Sequence, residues 1–372
     1  MREEIIFKVA SELLTTIEKE TKPASEIINA FTRWHKSFVS KDRRLLTETV
    51  WDVIRHKARL DYLYPNKTYL EKIEILNKNK SHLSDQKMPF HIQVETPEWL
   101  IQKIKNADKE LPALLENPNI ILRATKDRDL VQKELLKEGV ETEKTELSPY
   151  GLVLKKRTNL LGLKAYKTGL VEVQDEGSQL VALETKVKPQ DCVLDYCAGA
   201  GGKSLIFAQM MNQKGKILAH DISKRSLQEL QKRAQRANIS IIDTTLDIPN
   251  YLKQNPDVKF SHVVVDAPCS GTGTWRRCPD ARWKLTEEQF YEILKKQAYI
   301  LKRAASFTPL NAHLIYITCS ITEDENIKQV QKFLKSHPFF KLKGHKQFSP
   351  ARTNTDGLFV AIMKKEEENQ RK

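Results

Sequence analysis

The sequence predicts an α/β protein: a doubly wound, mostly parallel sheet over residues 173–366, preceded by a small α+β module and an N-terminal helical region. Three observations predict it. From Val181 onward, short apolar runs alternate with helix-length segments, the pattern of parallel strands joined by crossover helices. The stretch from Cys192 to Ser204, CVLDYCAGAGGKS, reads as an apolar strand, a loop with three glycines and a helix opening at Lys203. In such a junction glycines let the backbone close on a ligand, and the helix N-terminus offers unpaired N–H groups. Finally, Asp195, Asp221, Asp247 and Asp266 follow one another at strand ends, the edge where open α/β sheets bind ligands.

In chain order, residues 1–64 predict three helices. In the third, Ser40 stands at the cap position and Leu45, Leu46, Val50, Val53, Ile54 and Leu60 form an apolar stripe,. Arg43, Arg44, Arg55, Lys57 and Arg59 lie among or opposite that stripe, as a solvated face in the favoured reading and as a surface for RNA phosphates in the alternative,. Residues 65–90 hold Pro65, Pro89 and much Asn, Lys and Ser, and predict a linker with one weak helix,. Residues 91–172 predict the α+β module: a helix from Pro97, a strand over 119–124, a helix over 127–138, a strand over 151–154 and another in the run up to Val173. In the sheet domain, strands fall at 192–196, 216–221, 239–244, 262–266 and 313–318, with two closing strands at 340–343 and 358–364. Ser223 caps the helix after the second strand. Thr286-Glu-Glu-Gln289 has capping-box spacing and opens a helix to Ser306; Thr322-Glu-Asp-Glu325 repeats that signature after the fifth strand,. Residues 367–372 predict a solvated tail.

Composition narrows the partners. The 372 residues are 40% hydrophobic, enough for packed cores in two or three domains,. A net charge of +14 favours a polyanionic partner,. The amino terminus, MREEIIFKVASELL, is charged and amphipathic without a continuous apolar run, so no signal peptide is expected,. No apolar stretch approaches the roughly 20 residues of a membrane span, and a cytoplasmic protein without membrane contact is expected. The five cysteines, at 192, 197, 269, 278 and 319, include no CxxC pair. Thiols are expected rather than disulfides, and no metal site.

On local grounds the glycine loop admits two readings. One is a P-loop: Gly202-Lys203-Ser204 fits the end of GxxxxGK[ST], and HVVVDA, ending near Asp266, could serve as its magnesium strand,. Against it, Cys197 stands where that pattern needs its first glycine. The other is an S-adenosylmethionine pocket, with Asp221 accepting the ribose hydroxyls and Asp247 reaching the adenine edge. Four carboxylates suit a nucleoside without phosphates, because they would repel a triphosphate unless magnesium intervened. The segments Asp266-Ala-Pro-Cys269-Ser-Gly and Thr318-Cys319-Ser320 put two thiols just beyond adjacent strands,. Beside a methyl donor, the matching chemistry is pyrimidine C5 methylation. A thiolate adds to C6, C5 becomes nucleophilic, and the second cysteine assists release.

Together DYCAGAGGKS, AHDIS, VVVDAPCSGTGTWRRCPDARW and IYITCSITEDEN resemble the RsmB-like (Nop/Sun) RNA cytosine-C5 methyltransferases. The resemblance runs over about residues 91–365, including VQDEGSQL (173–180) and DGLFVA (356–361). It implies a Rossmann-like, S-adenosylmethionine-dependent methyltransferase domain acting on RNA as a monomer. It further implies Cys319 as nucleophile and Cys269 in product release. Cys197, Ala198, Gly199, Ala200, Gly201, Gly202, Lys203, Asp221, Asp247 and Asp266 would line the cofactor site, with Lys203 and Asp266 also touching the target base. DNA cytosine methyltransferases use a Pro-Cys cysteine instead, so Cys269 as nucleophile is the alternative. The sequence departs from the family's CAAPGGK loop, carrying Gly199-Ala200 in place of Ala-Pro. Residues 40–64 resemble the middle of a NusB-type helical RNA-binding domain, shortened here, which implies rRNA as substrate. A tRNA substrate and a non-catalytic RNA-binding assembly factor are the competing readings. The loop TWRRCPDARW, with Arg276, Arg277, Arg282, Trp275 and Trp283, suits phosphate contact and base stacking,. Cys192 is expected in the core, and Cys278 to be incidental.

Overall fold

A computed structural model describes residues 2–35, 38–78, 83 and 87–367. The chain forms two compact units, Met1–Asn117 with Thr274–Phe290, and Pro118–Gly273 with Tyr291–Lys372. Neither the boundary expected near residue 91 nor that near 173 separates them.

The first unit is helical: α1 (Glu3–Lys19), α2 (Ala24–Trp34), α3 (Ser40–Arg55), α4 (Lys57–Leu63) and α5 (Tyr69–Lys78). In α1, Ile6, Ala10, Leu13, Leu14 and Ile17 recur at helical spacing, so one face buries against Leu46, Val50 and Val53 of α3 and Ile73 and Leu76 of α5,. The segment expected as a linker therefore supplies a helix to this core; its residues 79–82 and 84–86 lie outside the described residues. Ser40 opens α3 but makes no capping hydrogen bond. Basic residues expected as a solvated face are tied inside the unit in part. Lys57 pairs with Glu18 and Asp61, and Arg44 with Glu48.

The TWRRCPDARW segment belongs to this helical unit, which corrects the expectation of an RNA-stacking face. Trp275, Arg276 and Arg282 are at most 2% exposed. Asp280 Oδ2 accepts the Ala24 N–H at the start of α2 (2.8 Å), and Arg55 Nη1 donates to the Arg276 carbonyl (2.8 Å). Arg282 donates to the Leu114 carbonyl (2.6 Å), and its guanidinium sits 5.5 Å from the Trp275 ring centre. Arginine beside tryptophan serves a buried cation–π contact as readily as a nucleic-acid surface, and here it does the former.

In the second unit, β1 (Ile121–Ala124), β2 (Thr142–Lys144), β3 (Gly151–Leu154) and β4 (Val171–Val173) form an antiparallel sheet in the order β2-β3-β1-β4. The helix α6 (Arg128–Lys137) starts at Asp127, whose side chain accepts the Asp129 and Leu130 N–H groups,. The larger sheet contains β5 (Cys192–Asp195), β6 (Lys216–His220), β7 (Ile242–Thr245), β8 (His262–Asp266), β9 (His313–Thr318), β10 (Phe340–Phe348) and β11 (Leu358–Lys365). Its order is β10-β11-β9-β8-β5-β6-β7. The first five of these strands are parallel, and β10 and β11 run antiparallel at one side. Strand order reverses at β5, which pairs with β6 on one side and β8 on the other. Val193, Leu194, Val263, Val264, Val265, Leu314, Ile315 and Ile317 are fully buried, as continuous apolar strands covered on both faces must be. The helices that position the site are α7 (Glu176–Glu184), α8 (Gly202–Met210), α9 (Lys224–Arg236), α10 (Ile248–Gln254), α11 (Glu287–Ser306) and α12 (Ile327–Ser336).

The two capping signatures part company. At α11, Thr286 Oγ1 accepts the Gln289 N–H and Gln289 Oε1 accepts the Thr286 N–H (3.2 and 3.1 Å), a reciprocal capping box,. At Thr322 no box forms, and α12 begins five residues later at Ile327. The Glu325 side chain turns inward instead, to partners described below.

Candidate active site

Four strand ends converge on one edge of the large sheet. After β5 the chain turns through Cys197–Gly201 into α8. Gly201, at φ +83°, occupies the left-handed region, and a Cβ there would lie 2.4 Å from Leu230 Cγ, so only glycine fits. Gly199, at φ +52°, faces open space instead. The loop is tethered from three sides. Asp221 Oδ2 accepts the Gly199 N–H (2.9 Å), Arg233 Nη1 donates to the Ala200 carbonyl (2.7 Å), and Gln174 Nε2 donates to the Gly202 carbonyl (3.0 Å). Arg233 is itself held by the buried Glu172 of β4 (3.0 Å). The small sheet thus buttresses the glycine loop from behind. Sequence reasoning missed Glu172 and Arg233; Gln174 stood out only as part of VQDEGSQL.

Asp195 ends β5 fully buried, its Oδ2 accepting the Ser204 hydroxyl (2.6 Å) while Oδ1 has no protein partner. Burial, with Asp266 and Asp221 adding to it, pushes this carboxyl up to about 7 against the opposing Ser204 and Lys203. Burial also pushes the Cys197 thiol far up, reinforced by the same three carboxylates, so it stays neutral. Asp221, after β6, uses one oxygen for Gly199 and the other for the Ser223 N–H (2.8 Å). Asp247 is exposed at the cap of α10, accepting the Asn250 N–H (3.0 Å). A nucleoside cofactor fits these residues. The orphaned, buried Asp195 oxygen is the acceptor that an α-ammonium requires, and an ionised Asp221 retains lone pairs for two ribose hydroxyls. The same carboxylates oppose a triphosphate.

Lys203 and Asp266 meet at 2.6 Å, with Lys203 buried. Burial alone would lower the Lys203 ammonium, but the Asp266 carboxylate outweighs it, Cys319 and Asp195 adding to the pull, and holds it above its usual range. Cys269 and Cys319 lie beyond the neighbouring strands β8 and β9, with Sγ atoms 3.2 Å apart. Contact with Cys319, then burial and the nearby Glu325 carboxylate, push the Cys269 thiol well up, the Gly271 N–H opposing. All five cysteines are free; Cys192, expected in the core, is partly buried, and Cys278 is exposed. No group of three or more metal-ligating side chains occurs among the described residues. Among those residues, too, no helix is long and apolar enough to cross a membrane.

The loops carrying the two cysteines are stitched together by buried polar groups. Glu325, fully buried, accepts hydrogen bonds from Ser270 beside Cys269 and from Ser320 beside Cys319. Gly273 N–H donates to the Cys319 carbonyl (3.0 Å), and Thr272 and Ser320 hydroxyls meet at 2.9 Å.

Comparison with known proteins places this geometry in a family. Residues 182–364 match the family described as 16S rRNA methyltransferase RsmB/F. The chain is 26% identical to the probable ribosomal RNA small subunit methyltransferase B of Bacillus subtilis (strain 168), over 98% of this chain and 100% of that one. It is 29% identical to the ribosomal RNA small subunit methyltransferase B of Photorhabdus laumondii, over 80% of this chain and 70% of the relative. Among solved structures, PH0851 shares the fold with a TM-score of 0.80 at 23% identity, covering 98% of this chain and 99% of that one. NSun6 from Pyrococcus horikoshii with SFG gives 0.64 at 19% identity, over 73% of this chain and 99% of its own. The sheet domain that carries this site, over residues 182–364, belongs to the RsmB/F family of S-adenosylmethionine-dependent RNA methyltransferases.

Proposed function

We propose that this protein methylates C5 of a cytosine in small-subunit rRNA, with Cys319 as nucleophile and Cys269 assisting product release. The observation that carries this reading is the pair of thiols 3.2 Å apart at the ends of β8 and β9, beside the Lys203–Asp266 ion pair. The bound cofactor supplies an electrophilic methyl group on its sulfonium. The Cys319 thiolate forms a bond to C6, which leaves C5 electron-rich. C5 takes the methyl group and then gives its proton to a base; the C6–sulfur bond breaks and Cys319 is regenerated. Cys269, held as a thiol, is the proton-bearing partner at the attacking sulfur. Lys203 and Asp266 contact the flipped-out base. Cys197–Lys203, Asp195, Asp221 and Asp247 surround the cofactor, Asp221 with its remaining lone pairs on the ribose hydroxyls. The small α+β sheet and the NusB-like helices contribute RNA contacts, and the protein acts as a cytoplasmic monomer.

The test is bisulfite mapping of rRNA and tRNA from cells lacking the protein, with the purified protein and cofactor added back. Loss and recovery of one 5-methylcytosine in small-subunit rRNA is the expected result. Loss confined to a tRNA would move the substrate. Unchanged maps in both RNAs would favour a non-catalytic assembly factor.

A further inference from the structure

Glu325 is a buried carboxylate that the chemistry above does not use. Its Oε1 accepts the Ser270 N–H (2.8 Å) and Gln297 Nε2 (3.0 Å). Its Oε2 accepts the hydroxyls of Ser270 and Ser320 (both 2.5 Å) and of Thr322 (2.9 Å). The side chain is 0% exposed, and none of these five partners is cationic. Burying a carboxylate without a cation is costly unless donors surround it, so an apolar residue would have been the cheaper way to fill this space. The donors come from three segments: the loop after β8, the loop after β9, and α11. Ser270 and Ser320 are each the immediate neighbour of one of the two cysteines. Gln297 also donates to the Pro268 carbonyl, on the other side of Cys269 (3.0 Å).

We infer that Glu325 is a positioning residue that fixes the separation of the two thiols, and that it acts through Ser270 and Ser320 on the release step. This rests on the two-cysteine reading. Cys319 sits on the end of β9, which the sheet holds in register through Asp266 and Ile317. Cys269 lies three residues past the end of β8. Its placement depends more on the clasp than that of Cys319 does. Loosening the clasp should therefore leave attack and methyl transfer largely intact and let Cys269 drift from the sulfur it assists.

The substitutions that test this differ in reach. Glu325→Asp keeps the charge but is one methylene short, so it cannot span both loops. Glu325→Gln keeps the length. Its amide oxygen can still accept from Ser270 N and Gln297, and the two N–H groups of its amide nitrogen can donate to two of the three hydroxyls once these rotate. Each variant would be assayed for S-adenosylhomocysteine affinity, for single- and multiple-turnover methylation, and for a denaturation-resistant RNA adduct, beside wild type and Cys269→Ala. The expected result for Glu325→Asp is cofactor affinity within about twofold of wild type, near-normal first turnover, at least tenfold slower steady state, and accumulation of methylated adduct. Glu325→Gln should recover most of the turnover. A purely structural role would instead lower cofactor affinity and first turnover together, without adduct, and would overturn the inference. So would a Glu325→Asp enzyme that turns over normally. If Cys269→Ala traps methylated RNA and Glu325→Asp does not, the positioning role fails while the two-cysteine reading stands. If Cys269→Ala traps nothing, that underlying reading fails and this inference falls with it.

Discussion

Asp221, proposed above to hold the cofactor ribose, offers the clearest magnitude. An ionised carboxylate has about four acceptor sites. Two are filled here, by the N–H groups of Gly199 (2.9 Å) and Ser223 (2.8 Å). The other two are free for the ribose hydroxyls. Asp221→Ala removes the ligand contacts and also releases Gly199, the glycine that faces the open side of the loop. Hydrogen bonds to a charged group contribute about 1.5–3 kcal/mol, so binding should weaken about 10- to 150-fold, at about 1.4 kcal/mol per tenfold. Asp221→Asn keeps one accepting oxygen and loses the charge, and should fall between wild type and alanine. Titration calorimetry with S-adenosylhomocysteine measures both. Thermal unfolding without ligand should shift little, because the side chain is only partly buried. A dissociation constant unchanged by Asp221→Ala would refute the assignment of this carboxylate to the ribose. An equal loss for alanine and asparagine would assign the effect to charge alone.

Asp195, raised to about 7 chiefly by burial, holds its proton more tightly in the native state than in the unfolded chain. Ligand-free stability should therefore decline as pH rises from about 4 to about 7, a slope that Asp195→Asn removes. S-adenosylhomocysteine affinity should rise over the upper part of that range as the carboxylate ionises to meet the ammonium; a flat profile from pH 5.5 to 8 would contradict this. Arg282→Ala deprives a buried carbonyl and the buried Glu95 of their positive neighbour, and should cost the helical unit about 3–5 kcal/mol in denaturant unfolding. A cost below about 1 kcal/mol would mean the guanidinium is not integral to that core. RNA affinity should fall steeply with salt, with a log–log slope near −4 for an interface engaging about six phosphates of single-stranded RNA; an affinity independent of salt would exclude an electrostatic interface.

The central strands were legible because both of their faces are buried. Runs such as HVVVD and HLIYIT contain few polar residues to blur their ends, and β8 and β9 have the expected bounds. Edge strands were less legible. In β10, exposed and partly buried residues fill the interior of the strand, which extends past a register shift near Gly344 to Phe348. The short β2, Thr-Glu-Lys, has no apolar signal at all. The half-buried β7 runs over Ile242–Thr245 rather than 239–244. The glycine loop and the two cysteines could be read locally, because their chemistry is carried by motifs. Glu325 could not. Its spacing from Thr322 fits a helix cap, and only the tertiary approach of two loops turns it inward. Trp275 and Arg282 failed for a related reason, since the residue types that stack on RNA also make buried cation–π pairs.

The most direct measurement is a denaturing gel of Cys319→Ala and Cys269→Ala with labelled RNA and S-adenosylmethionine. With Cys319 as nucleophile, Cys319→Ala forms no adduct and no product, although it still binds cofactor. Cys269→Ala attacks and methylates but stalls, and leaves a protein-linked RNA carrying 5-methylcytosine. The two sulfurs lie 3.2 Å apart, so both can reach one base, and the gel reads which of them attacks. A trapped band from Cys319→Ala, with none from Cys269→Ala, would contradict the assignment and make Cys269 the nucleophile.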